Sequence, residues 1–557
     1  MAAGYLNLKI NGELVRDIIL QHVSITQALN DHWRCHAECR HTQDQRLSSL
    51  AAAALEAATS SSITVEEWLG KSLQVIEVEQ ALSERVLFDG FVLEVELVYE
   101  LSGSFTALLQ GVTHSFKMDV TPRHAYYQEK TLADIATQLA GRSSLQAKVT
   151  CKDRRPLNYV QWGESDFEFL HRLADDHGCW IRPCTDGIEI LDSFQEGATV
   201  YWRRESGEKA LRGFSVKGTL APPAFDGAHY NFHEMQSNAY ETVSDEPQFF
   251  GSSQPLVDAV KQGSKDNLPA AYLHQRSRVV TLDEYKELLK KESVRSIGAS
   301  VTGVGESLNS ELLPGNTVQI EGILDAQGAY GVTHVAHSWD PAGYTNQFTC
   351  TPWKNYTSQD TPVMKPWYGV VPARVVEHND PKKMGRIKVQ YFWQDEAPAH
   401  WARMMTPHAG SDRGFMFMPE VGDEVVVAFE DGDPERPLVL GCVWNGVDLA
   451  PRQEFWGGEL EANDVKRIVT KSGHRMQFVD KPGKESIALA TPKYLKLSMI
   501  ENTDETGRSM ITLHSENGDI FLSAPNGRIH FVSKYVSKEV GDKGPGQSSS
   551  GGNGSKP

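Results

Sequence analysis

From Val465 to Val540 the chain repeats one small unit, a pair of apolar residues one position apart, set off by turn-forming runs written KSG, KPG, ENTDETG, ENGD and PNG. The pairs are Ile487 with Leu489, Leu495 with Leu497, Ile511 with Leu513, Ile520 with Leu522, and Ile529 with Phe531. Their first members stand 8, 16, 9 and 9 residues apart, which is the mark of an internal repeat. An apolar residue at every second position reads as a short strand with one apolar face. Strands this short offer two or three inward side chains each, too few to build a core from one chain. Three chains wound about a common axis would bury these Ile, Leu and Phe side chains against one another. The repeat therefore predicts self-association, with a small monomeric sandwich as the alternative, which would need longer strands.

Upstream of the repeat lies a second cluster of strands. PARVVEHND, GRIKVQYFW, WARMMTP, EVVVAFEDGD and RPLVLGCVWN are five short alternating runs within about eighty residues, closed by tight turns, and they predict a small Greek-key barrel of the OB type. Glu430, Asp431, Asp433 and Glu435 fall between two of those runs. Asp and Gly suit turn backbones, and the EF-hand spacing of oxygen ligands is absent, so the acidic cluster reads as a hairpin tip rather than a metal site or a catalytic carboxylate pair.

The remaining 365 or so residues read as strands with a few short helices. At 557 residues, and roughly 150 residues per domain, three or four domains are expected. TLADIATQL opens on Thr131 with Asp134 three residues on, and carries Leu132, Ile135 and Leu139 on one stripe. SDFEFLHRLADDH pairs Ser165 with Glu168 in capping-box spacing and ends at Gly178, with His171 and His177 expected as solvated helix residues. A third helix is expected over Thr281 to Lys291, with Asp283 and Glu284 at its start and Lys290 and Lys291 at its end, matching the helix dipole. In DHWRCHAECRHT, Cys35 and Cys39 alternate onto the apolar face while His36 points the other way, so a strand is expected and not a zinc site.

Charge narrows the function classes. A formal net charge of -18 argues against nucleic-acid or anionic-membrane partners, whose phosphates are neutralised by Lys and Arg. The start lacks a basic region followed by an apolar one, and the most apolar early run, Leu47 to Ala58, is diluted by Ser48, Ser49 and Glu56. No run reaches the length of a membrane span. Seven cysteines without a CxxC pair favour reduced thiols in a cytosolic chain. No GxSxG, HExxH or P-loop occurs, no metal or cofactor is expected, and the chain reads as a non-enzyme.

Three segments carry a family resemblance: YVQWGESDFEFLHRLADDHGCWIRP from Tyr159, PEVGDEVVVAFEDGDPERPLVLGCVWN, and RIVTKSGHRMQFVDKPGKESIAL from Arg467. They resemble VgrG, the spike of type VI secretion systems, and its relatives in contractile injection systems and phage tails. The first segment has Trp162 where the family usually has Tyr. The resemblance implies a mainly β chain: a hub of two barrel-like subdomains over residues 1–365, an OB-type barrel neck over 366–447, a linker over 448–463, a C-terminal intertwined triple-stranded β-helix as the needle over 464–540, and a flexible Gly/Ser-rich tail over 541–557. It implies a homotrimer whose hub caps a tube of Hcp-like rings and whose needle end accepts a PAAR-type tip protein, with baseplate proteins and effectors as further partners. The chain would reside in the cytoplasm of the producing bacterium and be secreted or injected on firing. The same motifs fit the spike of a free phage-tail-like particle. Spikes with a cell-wall hydrolase domain are a further alternative, although only VDLAPRQEFWGGELEAND joins barrel to repeat here.

Overall fold

In the computed structural model the described residues are 5–15, 18–41, 65–78, 84–99, 105–151, 156–202, 207–231, 235–239, 242–273, 282–355, 365–393, 399–451, 463–493, 495–501, 509–530, 532 and 534. They fall into two units, residues 1–443 and residues 444–557, each with its own contacts.

Alternating strands dominate the first unit. Thirteen of them form one sheet, which runs from Leu211–Gly218 through Val301–Ser307, Gly343–Thr351 and Gly328–Asp340 to Ile18–Ala28, and on through Arg34–His41, Phe105–Val112, Glu84–Tyr99 and Ser72–Val78 to Tyr5–Ile10. The antiparallel pairing of Ile18–Ala28 with Gly328–Asp340 joins strands more than 300 residues apart in sequence. Two cores line this sheet. One gathers Leu8, Ile25, Cys35, Cys39, Phe88 and Leu109; the other gathers Val200, Val318, Tyr330, Phe348 and Cys350. Cys35 and Cys39 are fully buried on the apolar face of Arg34–His41, with His36 exposed opposite, as the alternation predicts. Burial, and then the neighbouring Glu38, pushes the Cys39 thiol up to about 12, far from the thiolate a metal would need.

An α/β module interrupts the large sheet. It contains α1 (Leu132–Arg142) and α2 (Asp166–Asp176), the antiparallel pair Arg123–Lys130 and Leu157–Glu164, and a three-stranded sheet built on Trp180–Cys184. Both helices start with reciprocal capping boxes, Thr131 with Asp134 and Ser165 with Glu168, which satisfy amide groups that would otherwise lack partners. The histidines of α2 differ from expectation. His171 is buried, and His177 places Nδ1 2.8 Å from the Leu173 carbonyl oxygen. The reason is that α2 is enclosed on nearly every side, from Phe167 and Phe169 through Arg172 to Asp175.

Two more helices follow. The first, α3 (Gln254–Asn267), was not expected from the sequence: Ser253 before it makes no side-chain cap, although Pro255 in its first turn and the Val257, Val260, Ser264 stripe are helix signals. The other, α4 (Leu282–Ala299), runs eight residues past the predicted end at Lys291. Lys290 and Lys291 are therefore mid-helix, and Lys291 is held by Asp175 at 3.1 Å rather than by the helix dipole.

The expected barrel is closed. Its strands are β1 (Val371–Glu377), β2 (Ile387–Tyr391), β3 (His400–Met404), β4 (Glu424–Phe429) and β5 (Pro437–Cys442), in the ring order β1-β2-β3-β5-β4. All its pairings are antiparallel except β3 with β5. Ala373, Val375, Ile387, Val389, Val425, Val427 and Val439 fill it.

The second unit holds β6 (Val465–Val469), β7 (Arg475–Val479), β8 (Ser486–Ala490), β9 (Lys496–Ile500) and β10 (Met510–His514), an antiparallel meander in sequence order. Among the described residues it is one sheet, without the second sheet that a sandwich would need. The strand pattern stops earlier than the repeat predicts. Ile520, Leu522 and Ile529 lie in segments without strand pairing, and Phe531 lies outside the described residues. Turn sequences Asn517-Gly518-Asp519 and Pro525-Asn526-Gly527 leave runs too short to build a ladder within one chain.

Candidate assembly surface and hub–barrel junction

Register decides which side chains of the C-terminal sheet share a face. Phe478 pairs with Ile487, Ile487 with Met499, and Met499 with Ile511; Met476 pairs with Leu489, Leu489 with Leu497, and Leu497 with Leu513. Two apolar ladders thus cross the sheet side by side on one face, since directly opposed residues in an antiparallel pair project the same way. Most of their members are exposed, Leu489 by 46%, Leu513 by 54% and Ile511 by 74%. The opposite face carries Gln477, Ala488 and Ser498, which are buried, with Ser498 and Thr512 hydroxyls 2.6 Å apart. A soluble single chain normally shows the reverse arrangement, apolar in and polar out.

Five of the predicted core residues come together at one trough of about 530 Å³, lined by Leu489, Leu495, Leu497, Leu513 and Ile520, with Lys496 beside them. Ile487 and Ile511 lie on the same sheet face. Leu522 and Ile529 are exposed outside the sheet.

At the barrel, the acidic cluster is a turn. Asp431 and Gly432 take left-handed backbone angles, φ 52° and 75°, within the single turn Glu430–Gly432. A Cβ on Gly432 would sit 2.9 Å from the Pro366 Cβ, so glycine is required there. The Gly432 carbonyl accepts from Trp367 N at 2.7 Å. Glu430 is paired with both Arg403 and Arg436, the latter at 3.0 Å. Glu435 accepts its amide contact from Val160 of the hub module at 3.5 Å. These carboxylates are spent on holding the hairpin and its neighbours.

The QWGESDF segment is the junction of hub and barrel. Gln161 Nε2 donates to Asp166 at 2.9 Å and its Oε1 accepts from the Tyr127 hydroxyl at 3.0 Å. Glu164 forms a bidentate pair with Arg172 at 2.6 and 2.7 Å, both side chains buried, and Arg172 also donates to the Val160 carbonyl at 2.9 Å. That pair fixes the turn that aims Trp162 at the barrel. Trp162 shares the barrel core and is ringed by Phe429 at 5.1 Å, Trp393 at 5.4 Å, Trp367 at 6.0 Å and Tyr391 at 6.1 Å between centroids. His124 meets it edge-on at 4.7 Å. The sequence marks Trp162 only as an aromatic within a motif; its role as a plug depends on a barrel that begins two hundred residues later.

One constellation resembles catalytic chemistry. His32 Nδ1 lies 2.8 Å from Ser115 Oγ, and Asp119 lies 3.4 Å from His32 Nε2. Ser115 is wholly buried and its oxygen is also 3.0 Å from Thr113 Oγ1, so no substrate reaches it and the trio is a packing element. Among the described residues no group of three His, Cys, Asp or Glu side chains is placed to hold a metal, and no helix is long and apolar enough to cross a membrane.

Comparison with known proteins bears on the same regions. The profile of the phage tail baseplate hub (GPD) matches residues 44–342, and that of the type VI secretion system/phage-baseplate injector OB domain matches residues 371–444. The type VI secretion system spike protein VgrG4b of Pseudomonas aeruginosa is 30% identical over 162 residues, which is 26% of this chain and 19% of that protein. The actin cross-linking toxin VgrG1 of Vibrio cholerae is 24% identical over 394 residues, 62% of this chain and 33% of the toxin. The alignments thus span a third or less of these relatives' own length. Among solved structures, an E. coli component of the type VI secretion system, described as structurally similar to T4 bacteriophage tail proteins, matches with a TM-score of 0.52 at 17% identity, over 78% of this chain and 99% of its own. A chain of the lidless PdpA-VgrG complex matches with a TM-score of 0.58 at 9% identity, over 92% of this chain and 98% of its own. At these identities the structures speak to the fold. With the hub profile spanning more than half of the sequence, and the injector OB domain following it, the chain belongs to the phage tail baseplate hub family and is similar to type VI secretion system spike proteins.

Proposed function

We propose that the chain is the hub and spike of a contractile injection apparatus, acting as a homotrimer that caps the inner tube and punctures the target envelope to deliver effectors. The observation that carries this reading is the exposed pair of apolar ladders on the C-terminal sheet. A lone chain gains nothing from displaying them, whereas three copies would bury them about one axis. In this reading the hub extends to about residue 365, the neck covers 366–447, and the needle covers 464–540 as an intertwined β-helix. The closed barrel and the plugged junction give the stiffness a puncturing device requires. The partners are a tube of Hcp-like rings at the hub and a PAAR-type protein at the needle end, where the outer edge of β10 has no strand beside it among the described residues. The chain works mechanically and carries no catalytic site of its own, and it leaves the producing cell when the apparatus fires.

Electron microscopy of the full chain mixed with its ring-forming tube protein tests the reading: tubes capped at one end are expected, and uncapped tubes at saturating protein would refute it. Peptidoglycan, esterase, peptidase and actin cross-linking assays test the absence of catalysis; turnover abolished by one side-chain substitution would overturn it.

A further inference from the structure

The hub module carries a second concavity, separate from the assembly surface and independent of the spike reading. A cleft of about 230 Å³ opens beside the end of α1 and the first turn of α2, walled by Lys117, Arg123, Arg142 and Asp166 with Thr121 and Ser143. At roughly 30 Å³ per water it has room for about seven waters. Three cationic residues and one carboxylate line it. Asp166 is already engaged, accepting from Arg142 Nη1 at 3.0 Å and from Gln161 Nε2 at 2.9 Å. Arg123 reaches Asp166 only at 3.9 Å and is 53% exposed. Lys117 has no carboxylate partner among the described residues; its ammonium lies 5.8 Å from the Phe91 ring centroid. Two positive charges are left uncompensated in the cleft, on a chain of net charge -18.

We propose that this cleft binds a phosphate dianion, free or as the monoester of a small molecule. Charge selects the class: a monocarboxylate would leave one cation unmatched, while a dianion matches both. Geometry agrees, because the Arg123 and Arg142 guanidinium forks offer paired donors to phosphate oxygens, and the Thr121 and Ser143 hydroxyls donate to those that remain. Arg142 also holds Asp166, so that ion pair positions the fork and Lys117 and Arg123 supply the free charge.

Titration calorimetry on the full chain at constant ionic strength, with inorganic phosphate and glycerol phosphate as separate probes, tests this. Saturable binding is expected, at least tenfold weaker in the double variant K117Q/R123Q, whose two side chains are exposed and leave the Arg142 to Asp166 pair intact. Binding of both probes identifies an ester pocket, and of inorganic phosphate alone a free-ion site; either supports the proposal. Affinity for glycerol phosphate should rise through its second ionisation near about pH 6, while sulfate, a dianion throughout, should bind independently of pH. No saturable heat with either probe, equal binding by the variant, or a sulfate curve that follows the glycerol phosphate curve would overturn it.

Discussion

Replacing Trp162 with alanine isolates the hub–barrel junction. The indole is 6% exposed and stands among four barrel or barrel-flanking rings, so truncation empties a site that no hub residue can refill. A buried Trp covers about 150–250 Å², which at about 25 cal/mol per Å² is about 4–6 kcal/mol of transfer free energy. Against this, the indole N–H is buried without a partner, a cost of about 1–3 kcal/mol that truncation removes. The net loss is therefore about 3 kcal/mol. It falls on the docking of two otherwise separate cores, since only Val160 and Trp162 of the module's buried residues belong to the barrel cluster. For a unit the size of the barrel, each kcal/mol is about 4–8 °C of melting temperature, so scanning calorimetry of W162A should show the barrel melting at least about 12 °C lower, as a transition split from that of the hub. W162F keeps a ring and discards the unpaired donor, and should lose about 1 kcal/mol. If W162A melts as a single transition at the wild-type temperature, or if W162F is as damaging as W162A, the plug account is wrong.

E164A should destabilise the hub module by about 3–5 kcal/mol in urea unfolding, because it strands the buried Arg172 guanidinium; E164Q, which keeps an acceptor, should cost less. Acidification should weaken the first unit through His337 and His400. Burial lowers His400 to about 3, and burial, with Arg85 and His334 adding to it, lowers His337 to about 3. Their depressed folded values mean that the unfolded chain takes up the protons, so stability is full above about pH 6.5 and falls towards pH 3. The loss is about 1.4 kcal/mol per pH unit per histidine, or about 2 kcal/mol each at pH 5, and urea midpoints measured at pH 7 and pH 5 would read it. The double substitution I511D/L513D should abolish self-association in sedimentation at micromolar concentration, since each buried unpaired charge costs several kcal/mol and a threefold axis repeats it three times; an unchanged assembly would sink the proposed interface.

What the sequence makes legible here is local. The capping boxes at Thr131 and Ser165, the alternation that buries Cys35 and Cys39, and the five barrel strands all rest on residues within a few positions of each other. What it hides depends on distant partners. Lys290 and Lys291 read as the end of a helix, yet Lys291 answers Asp175, 116 residues away. His171 looks like a solvated helix residue because nothing nearby reveals that α2 is enclosed. Helix α3 escapes although Pro255 and the Val257, Val260, Ser264 stripe mark it, and Ser253, a capping residue type by sequence, precedes it in a left-handed conformation without a capping bond. The repeat is legible as five apolar pairs, and register places Ile487, Leu489, Leu497, Ile511 and Leu513 on one face; Ile520, Leu522 and Ile529 lack a neighbouring strand in a single chain.

The central claim is that the exposed apolar ladders are covered by two further copies of the same chain. Light scattering coupled to size exclusion of the purified 557-residue chain tests it most directly. Three times 61.9 kDa is about 186 kDa, and a single species of that mass at micromolar concentration is the predicted result. A clean 61.9 kDa monomer would contradict it.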